Sequence, residues 1–272
     1  MRWHGVHGGK ASEEEMREKL NFIYAEYDKD YAALEPAPAK FKSLKEFVKY
    51  QRSLKEVEER SFERVSQAGI LGEIGKEGWR RLGAEAVVDE SVVVRDGWEA
   101  FLGKVGKEGA KWGIVSVSFC DDFIRGVLGL RSGKGKDGIE VLANSPDRDG
   151  IVHGYEFKGK RTGVMVESKG KRDALRILVE RLRKEGGGKG EEGRVVYFGD
   201  SATDVECLTE DGVVGIVMTK ADGSSRLLDI LKGFGEGNVR SIGKYDERER
   251  RKGVVYFAKD YREIVESPLF RR

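Results

Sequence analysis

Cysteine is nearly absent from this 272-residue sequence, histidine is scarce, and neither charge sign nor any long apolar run dominates it. Each gap excludes something. The two cysteines, Cys120 and Cys207, stand far apart without a CxxC spacing, which argues against a thiolate metal cluster and a disulfide framework. Reduced thiols and a cytoplasmic location are the expectation. No stretch approaches the roughly 20 apolar residues of a membrane span, and Met1–Lys10 has no apolar segment of the signal-peptide kind. Fifty basic residues against 48 acidic ones leave a net charge of +2, so neither a nucleic-acid nor a membrane-surface partner is expected.

What is present is charge, glycine and enough chain for a core. Charged residues make up 36% and apolar ones 39%, a lean but workable hydrophobic share for a globular chain. Much of the glycine sits in Gly-Lys-Glu runs such as Gly186–Gly193, which read as loops. Ser12 with Glu15 forms a capping box, and Met16, Leu20, Ile23, Tyr27, Tyr31 and Leu34 follow at helical spacing, stopped by Pro36 and Pro38. Ser43 with Glu46 repeats the capping signal ahead of a second stripe, Phe47, Leu54, Val57, Phe62 and Val65, ended by Gly69 and Gly72. From about Val92 the texture changes. Apolar strands at 113–117, 140–143, 194–198, 213–218 and 254–258 alternate with helices at 98–105, 121–130, 172–184 and 261–265. Such alternation predicts a parallel α/β sheet. The expected organisation is a helical segment over 11–91 and an α/β core over 92–272.

The stretch richest in chemistry is Val195-Val196-Tyr197-Phe198-Gly199-Asp200-Ser201-Ala202-Thr203-Asp204. An apolar strand ends in Gly-Asp, and a second carboxylate follows four residues later. Ligands of open α/β sheets gather at the carboxyl ends of strands, where Asp200 falls. Two carboxylates there suit Mg²⁺. On spacing alone the run reads equally as a strand–loop–helix connection in which Asp204 caps the helix. Two further groups lie upstream. Ser116 ends the strand Ile114-Val115-Ser116, with Ser118 as a rival hydroxyl. Lys171 opens a helix after Glu167-Ser168-Lys169-Gly170, within a basic cluster that also reads as a solvated face.

Hydroxyl, then lysine, then paired aspartates is the order of the second, third and fourth motifs of the haloacid dehalogenase (HAD) superfamily. The run Ala143-Asn144 with Asp149-Gly150-Ile151-Val152-His153-Gly154 further resembles the phosphoserine-phosphatase-like subgroup. The chain looks closest to fungal HAD-like hydrolases, over residues 92–272 and more loosely over the helices. The resemblance implies a Rossmannoid parallel sheet with a helical cap. It also implies Mg²⁺-dependent hydrolysis of a small phosphorylated metabolite. Asp200 and Asp204 would serve the metal, and Ser116 and Lys171 would hold the phosphoryl group.

The same resemblance implies a first catalytic strand ending in Asp-x-Asp, whose leading aspartate is the nucleophile. No such motif precedes the first helix. Asp28-Lys29-Asp30 lies inside that helix, where side chains two apart do not share a face. Asp147-Arg148-Asp149 lies in a proline-containing turn. The strand would sit between those ending at Ser116 and Asp200, so its loss would leave apolar edges unpaired. The favoured account is a reading frame that begins upstream of Met1. A degenerate member with another segment in the gap, and a partner-supplied strand, stand beside it. The expectation is a chain with no more than trace phosphatase activity. The alternative is a non-catalytic interaction or regulatory protein on the same scaffold.

Other matches fall away. Phe198-Gly199-Asp200-Ser201 resembles a GDSL-type esterase block, but all three histidines, His4, His7 and His153, lie upstream of Ser201, whereas the histidine base of that chemistry usually lies downstream. The GxGxxG run at 133–138 follows a helix and precedes a strand, the reverse of a dinucleotide fingerprint. Gly154–Lys160 begins like a P-loop, but Arg161 stands where Ser or Thr is required.

Overall fold

A computed structural model of the chain describes residues 12–72, 74–130, 139–185, 193–235, 239–249 and 253–271. The GxGxxG run, residues 186–192 of the glycine-rich stretch, His4 and His7 lie outside these residues. In chain order the elements begin with α1 (Glu13–Ala32), α2 (Leu44–Ser53), α3 (Lys55–Gln67), α4 (Gly75–Val88) and α5 (Trp98–Lys107). Then come β1 (Gly113–Ser116), α6 (Asp121–Val127), β2 (Glu140–Ala143), β3 (Ser145–Pro146), β4 (Val152–His153), β5 (Glu156–Phe157) and β6 (Lys160–Arg161). The remainder is α7 (Ser168–Glu185), β7 (Val195–Gly199), α8 (Val205–Leu208), β8 (Val213–Met218), α9 (Arg226–Lys232), β9 (Val239–Ser241), β10 (Val255–Ala258) and α10 (Tyr261–Glu266). The fold is mixed α/β with a parallel four-stranded sheet. No helix among the described residues is long and apolar enough to cross a membrane.

The chain groups into two compact units that interleave in sequence. One takes the described residues up to Ala37, Leu54–Val93 and Gly113–Val166. The other takes Pro38–Ser53, Val94–Trp112 and the described residues from Glu167 onward.

In the first unit, α1 starts on the expected capping box: Ser12 Oγ accepts the Glu15 N–H, and the Glu15 carboxylate accepts the Ser12 N–H. Its core joins Ile23, Phe62, Val65, Ile70, Val152 and Val166, with Phe62 stacked on Phe119 at 4.1 Å. The stripe over 43–65 does not make one helix. It breaks at Leu54 into α2 and α3, although Leu54 itself stays right-handed, and no proline or glycine marks the break. Helix α4 falls within the helical segment expected over 11–91, although no apolar stripe is read for it. Gly83 is there because α4 lies backbone to backbone on α6: a Cβ on Gly83 would come within 2.2 Å of the Phe123 carbonyl oxygen, and one on Gly126 within 2.0 Å of that of Arg80. The Arg80–Asp122 ion pair, 2.7 Å, closes the same contact. β1 pairs in parallel with β2, Ser116 opposite Ala143. Buried Asn144 then ties three segments: its amide donates to the carbonyls of Val117 and Met165, and its Oδ1 accepts the Met165 N–H. The P-loop-like run forms the β5–β6 hairpin.

In the second unit the sheet order is β7-β8-β10-β9, every pair parallel. Central β8 and β10 are almost wholly buried, as apolar runs in a parallel sheet require. β7 pairs with β8 alone, so one of its edges has no strand partner among the described residues; β1 is likewise paired only with β2. Beside the sheet, α5 and α10 build an aromatic cluster in which Phe101 meets Phe198 edge-on at 5.4 Å and Tyr261 at 4.8 Å. Val92–Val94, β-branched as it is, forms no strand.

Candidate functional site

Lys171, Asp200 and Asp204 all belong to the second unit, around the loop that leaves β7. Gly199 lets that loop close on itself. A Cβ there would lie 2.5 Å from both Cβ and Cγ of Asp204, so only glycine lets the carboxylate fold back against the strand end. Once folded back, Asp204 Oδ2 accepts the N–H groups of Asp200 at 3.1 Å and Ser201 at 3.0 Å, and the Ser201 hydroxyl at 2.9 Å. Oδ1 accepts Lys171 Nζ at 2.5 Å and the Tyr197 hydroxyl at 2.7 Å. Five donors therefore serve one carboxylate, satisfying the usual requirement for a buried charge.

The electrostatics follow from that arrangement. Burial works against the charge of Asp204, but the Lys171 ammonium and the hydrogen bonds from Lys171, Tyr197 and Ser201 outweigh it and hold the carboxyl below its ordinary range. Tyr197 is pushed well above its usual value, by burial first and then by the adjoining Asp204, so it remains a donor. Burial also raises the Cys207 thiol to about 12, which leaves it inert rather than nucleophilic.

Asp200 has a different setting. Its side chain is 62% exposed, against 4% for that of Asp204. Oδ2 accepts Arg95 Nη2 at 3.1 Å, and Oδ1 has no hydrogen-bond partner among the described residues. Arg95 also donates through Nη1 to the carbonyls of Thr219 and Lys259, just beyond the carboxyl ends of β8 and β10. Behind the loop lies a second charged cluster. Glu206, buried on α8, accepts Arg52 of α2 through two guanidinium nitrogens, Arg172 at 2.9 Å and the Ser168 hydroxyl at 2.7 Å. Sequence reading missed Arg95, Tyr197 and this cluster. Arg95 has no pattern around it, and Tyr197 reads as one more β-forming aromatic.

Ser116 stands in the first unit at the end of β1, where its Oγ accepts the Ser118 N–H at 3.1 Å; its own proton remains available to donate. Neither Asp-x-Asp triplet ends a strand of the parallel sheets. Asp30 is paired with Arg60 and Arg64 of α3. Asp147 accepts the N–H groups of Asp149 and Ile151 and bonds His153 at 2.8 Å.

No group of three or more His, Cys, Asp or Glu among the described residues could hold a metal ion. Mg²⁺, however, commonly binds through one or two carboxylates, the rest of its shell being water and ligand oxygen. Asp200 fits that use through its unpartnered oxygen. Asp204, with both oxygens engaged, fits the task of orienting the loop.

Compared with models of known protein families, the chain matches none, and no curated protein matches it.

Proposed function

We propose that this chain is a HAD-like module of the phosphoserine-phosphatase type, acting on small phosphomonoesters, with a Rossmannoid α/β core and a helical cap. The observation that carries the reading is the buried Lys171–Asp204 pair set directly behind the exposed Asp200. A lysine fixed by an ion pair beside a carboxylate-bearing loop, at the carboxyl end of a parallel strand, is suited to a phosphoryl group. Mg²⁺, when bound, would be held by Asp200 and would neutralise developing phosphate charge. Lys171 offers its remaining N–H donors to a phosphoryl oxygen, Asp204 holds both Lys171 and the loop amides, and Tyr197 keeps Asp204 ionised by donating to it. No aspartate of this chain is assigned as nucleophile. Among the described residues one edge of β7 has no strand partner, and this supports the same reading, since it is where a neighbouring catalytic strand would pair.

The test measures phosphate release from O-phosphoserine and p-nitrophenyl phosphate with Mg²⁺, alongside calorimetric binding of inorganic phosphate. Binding with no more than trace hydrolysis is expected. Clear turnover abolished by Asp200→Asn would mean that the chain contains a nucleophile after all. No phosphate binding at millimolar concentration, with or without Mg²⁺, would sink the reading.

A second reading, a non-catalytic scaffold, is favoured by the Arg95–Asp200 pair, which already answers the only exposed carboxylate of the loop. It predicts neither phosphate binding nor turnover.

A further inference from the structure

We propose that Arg95 is a built-in competitor for divalent cations at Asp200. Its guanidinium is anchored independently of that carboxylate. Nη1 donates to the Thr219 carbonyl oxygen at 2.5 Å and to that of Lys259 at 3.4 Å. Thr219 is itself locked to β10, its N–H donating to the Ala258 carbonyl at 2.9 Å. A permanent positive charge is thereby clamped across the carboxyl ends of β8 and β10, and Nη2 reaches Asp200 Oδ2 at 3.1 Å. Arginine cannot relieve repulsion by losing its proton. A cation approaching the open Oδ1 of Asp200 therefore meets a fixed like charge within a few ångströms.

The other charges around the loop do not offset this. Lys171 and Asp204 neutralise each other at 2.5 Å. Tyr261, which feels both Arg95 and Asp200, is held in its neutral form, chiefly by burial. The loop's cation affinity is thus set low while the Arg95 contact stands, and rises when the guanidinium is removed or drawn away by an anionic ligand. In the hydrolase reading such a ligand would be the phosphoryl group, so metal and substrate would bind cooperatively. The inference rests on that reading only in taking Asp200 as the cation ligand.

The experiment titrates the full chain by calorimetry with MgCl₂, then MnCl₂, without any phosphate ester. Wild type, Arg95→Gln, Arg95→Lys, Asp200→Asn and the Arg95→Gln/Asp200→Asn double variant are compared, each checked for folding by circular dichroism. Arg95→Gln should bind about tenfold more tightly than wild type. Arg95→Lys, which keeps the charge, should stay close to wild type, and the double variant should lose the gain. Arg95→Gln binding no more tightly than wild type would overturn the proposal. So would a gain that survives in the double variant, or an equal gain in Arg95→Lys. Activity is not read, so a failed phosphate-binding test leaves this result standing, and the reverse holds too.

Discussion

Asp200 and Asp204 come from one loop, four residues apart, and the fold treats them in opposite ways. Asp204 is withdrawn behind the strand end and served by five donors. Asp200 is left in solvent with one arginine. Taking a carboxylate out of water costs several kcal/mol unless charge and hydrogen bonds are returned to it, and the first site returns both. An exposed ion pair is worth about 0–1 kcal/mol. Identical chemistry in sequence is thus split into a group that builds the loop and a group that faces whatever the loop meets.

The largest break of this comparison is to remove one half of the buried pair. Asp204→Ala strands the Lys171 ammonium, and Lys171→Met strands the carboxylate. Each should cost about 3–5 kcal/mol in urea unfolding; a loss below about 1 kcal/mol would show that the pair does not hold the loop. Acid sharpens the same point. Asp204 is held below its ordinary 3.8 in the folded chain, so its contribution is present above that value and is lost as pH falls through the lower folded one. Stability should fall steeply below pH 3.8, and Asp204→Asn should flatten that limb. Glu206 is likewise held below its ordinary 4.5, and in the Asp204→Asn variant its own, separate decline should remain.

Next in size is Gly199→Ala. The added methyl would lie 2.5 Å from Asp204 Cγ, and forcing the carboxylate outward should cost about 2–3 kcal/mol. Little change in the melting curve would mean that the loop relaxes freely and that glycine is there for another reason. Tyr197→Phe removes one charge-assisted donor and leaves four, for a loss of about 1.5 kcal/mol.

How much of this could be read from residues alone depends on where each partner lies in the chain. β2 and β8 have the bounds their apolar runs indicate, β7 is shifted by one residue at both ends and β10 starts one residue later, because a buried parallel strand writes itself as a continuous apolar segment. The direct contact of Lys171 with Asp204, which engages Oδ1, was not legible in the sequence. Helix α4 falls inside the helical segment expected over 11–91 but without a stripe of its own, and the backbone contact that Gly83 permits there leaves no mark in the sequence. The division of 43–65 at Leu54 has no local marker. Arg95 was out of reach altogether, since it binds carbonyl oxygens 124 and 164 residues away, and a carbonyl oxygen leaves no signature of type.

The smallest expected effect is also the one that defines the other side of the comparison. Asp200→Asn and Arg95→Gln, singly and together, form a cycle whose coupling energy isolates the exposed pair. With side chains 62% and 30% exposed, that energy should be under about 1 kcal/mol and should shrink further in high salt, because solvent and ions screen both charges. Guanidinium-independent denaturation in urea, at low and at high sodium chloride, reads it directly. A coupling above about 2 kcal/mol would place Asp200 among the groups that hold the loop together and leave no carboxylate free for a ligand. A small, salt-sensitive value leaves Asp200 dispensable to folding, so that its position at the strand end answers to binding instead.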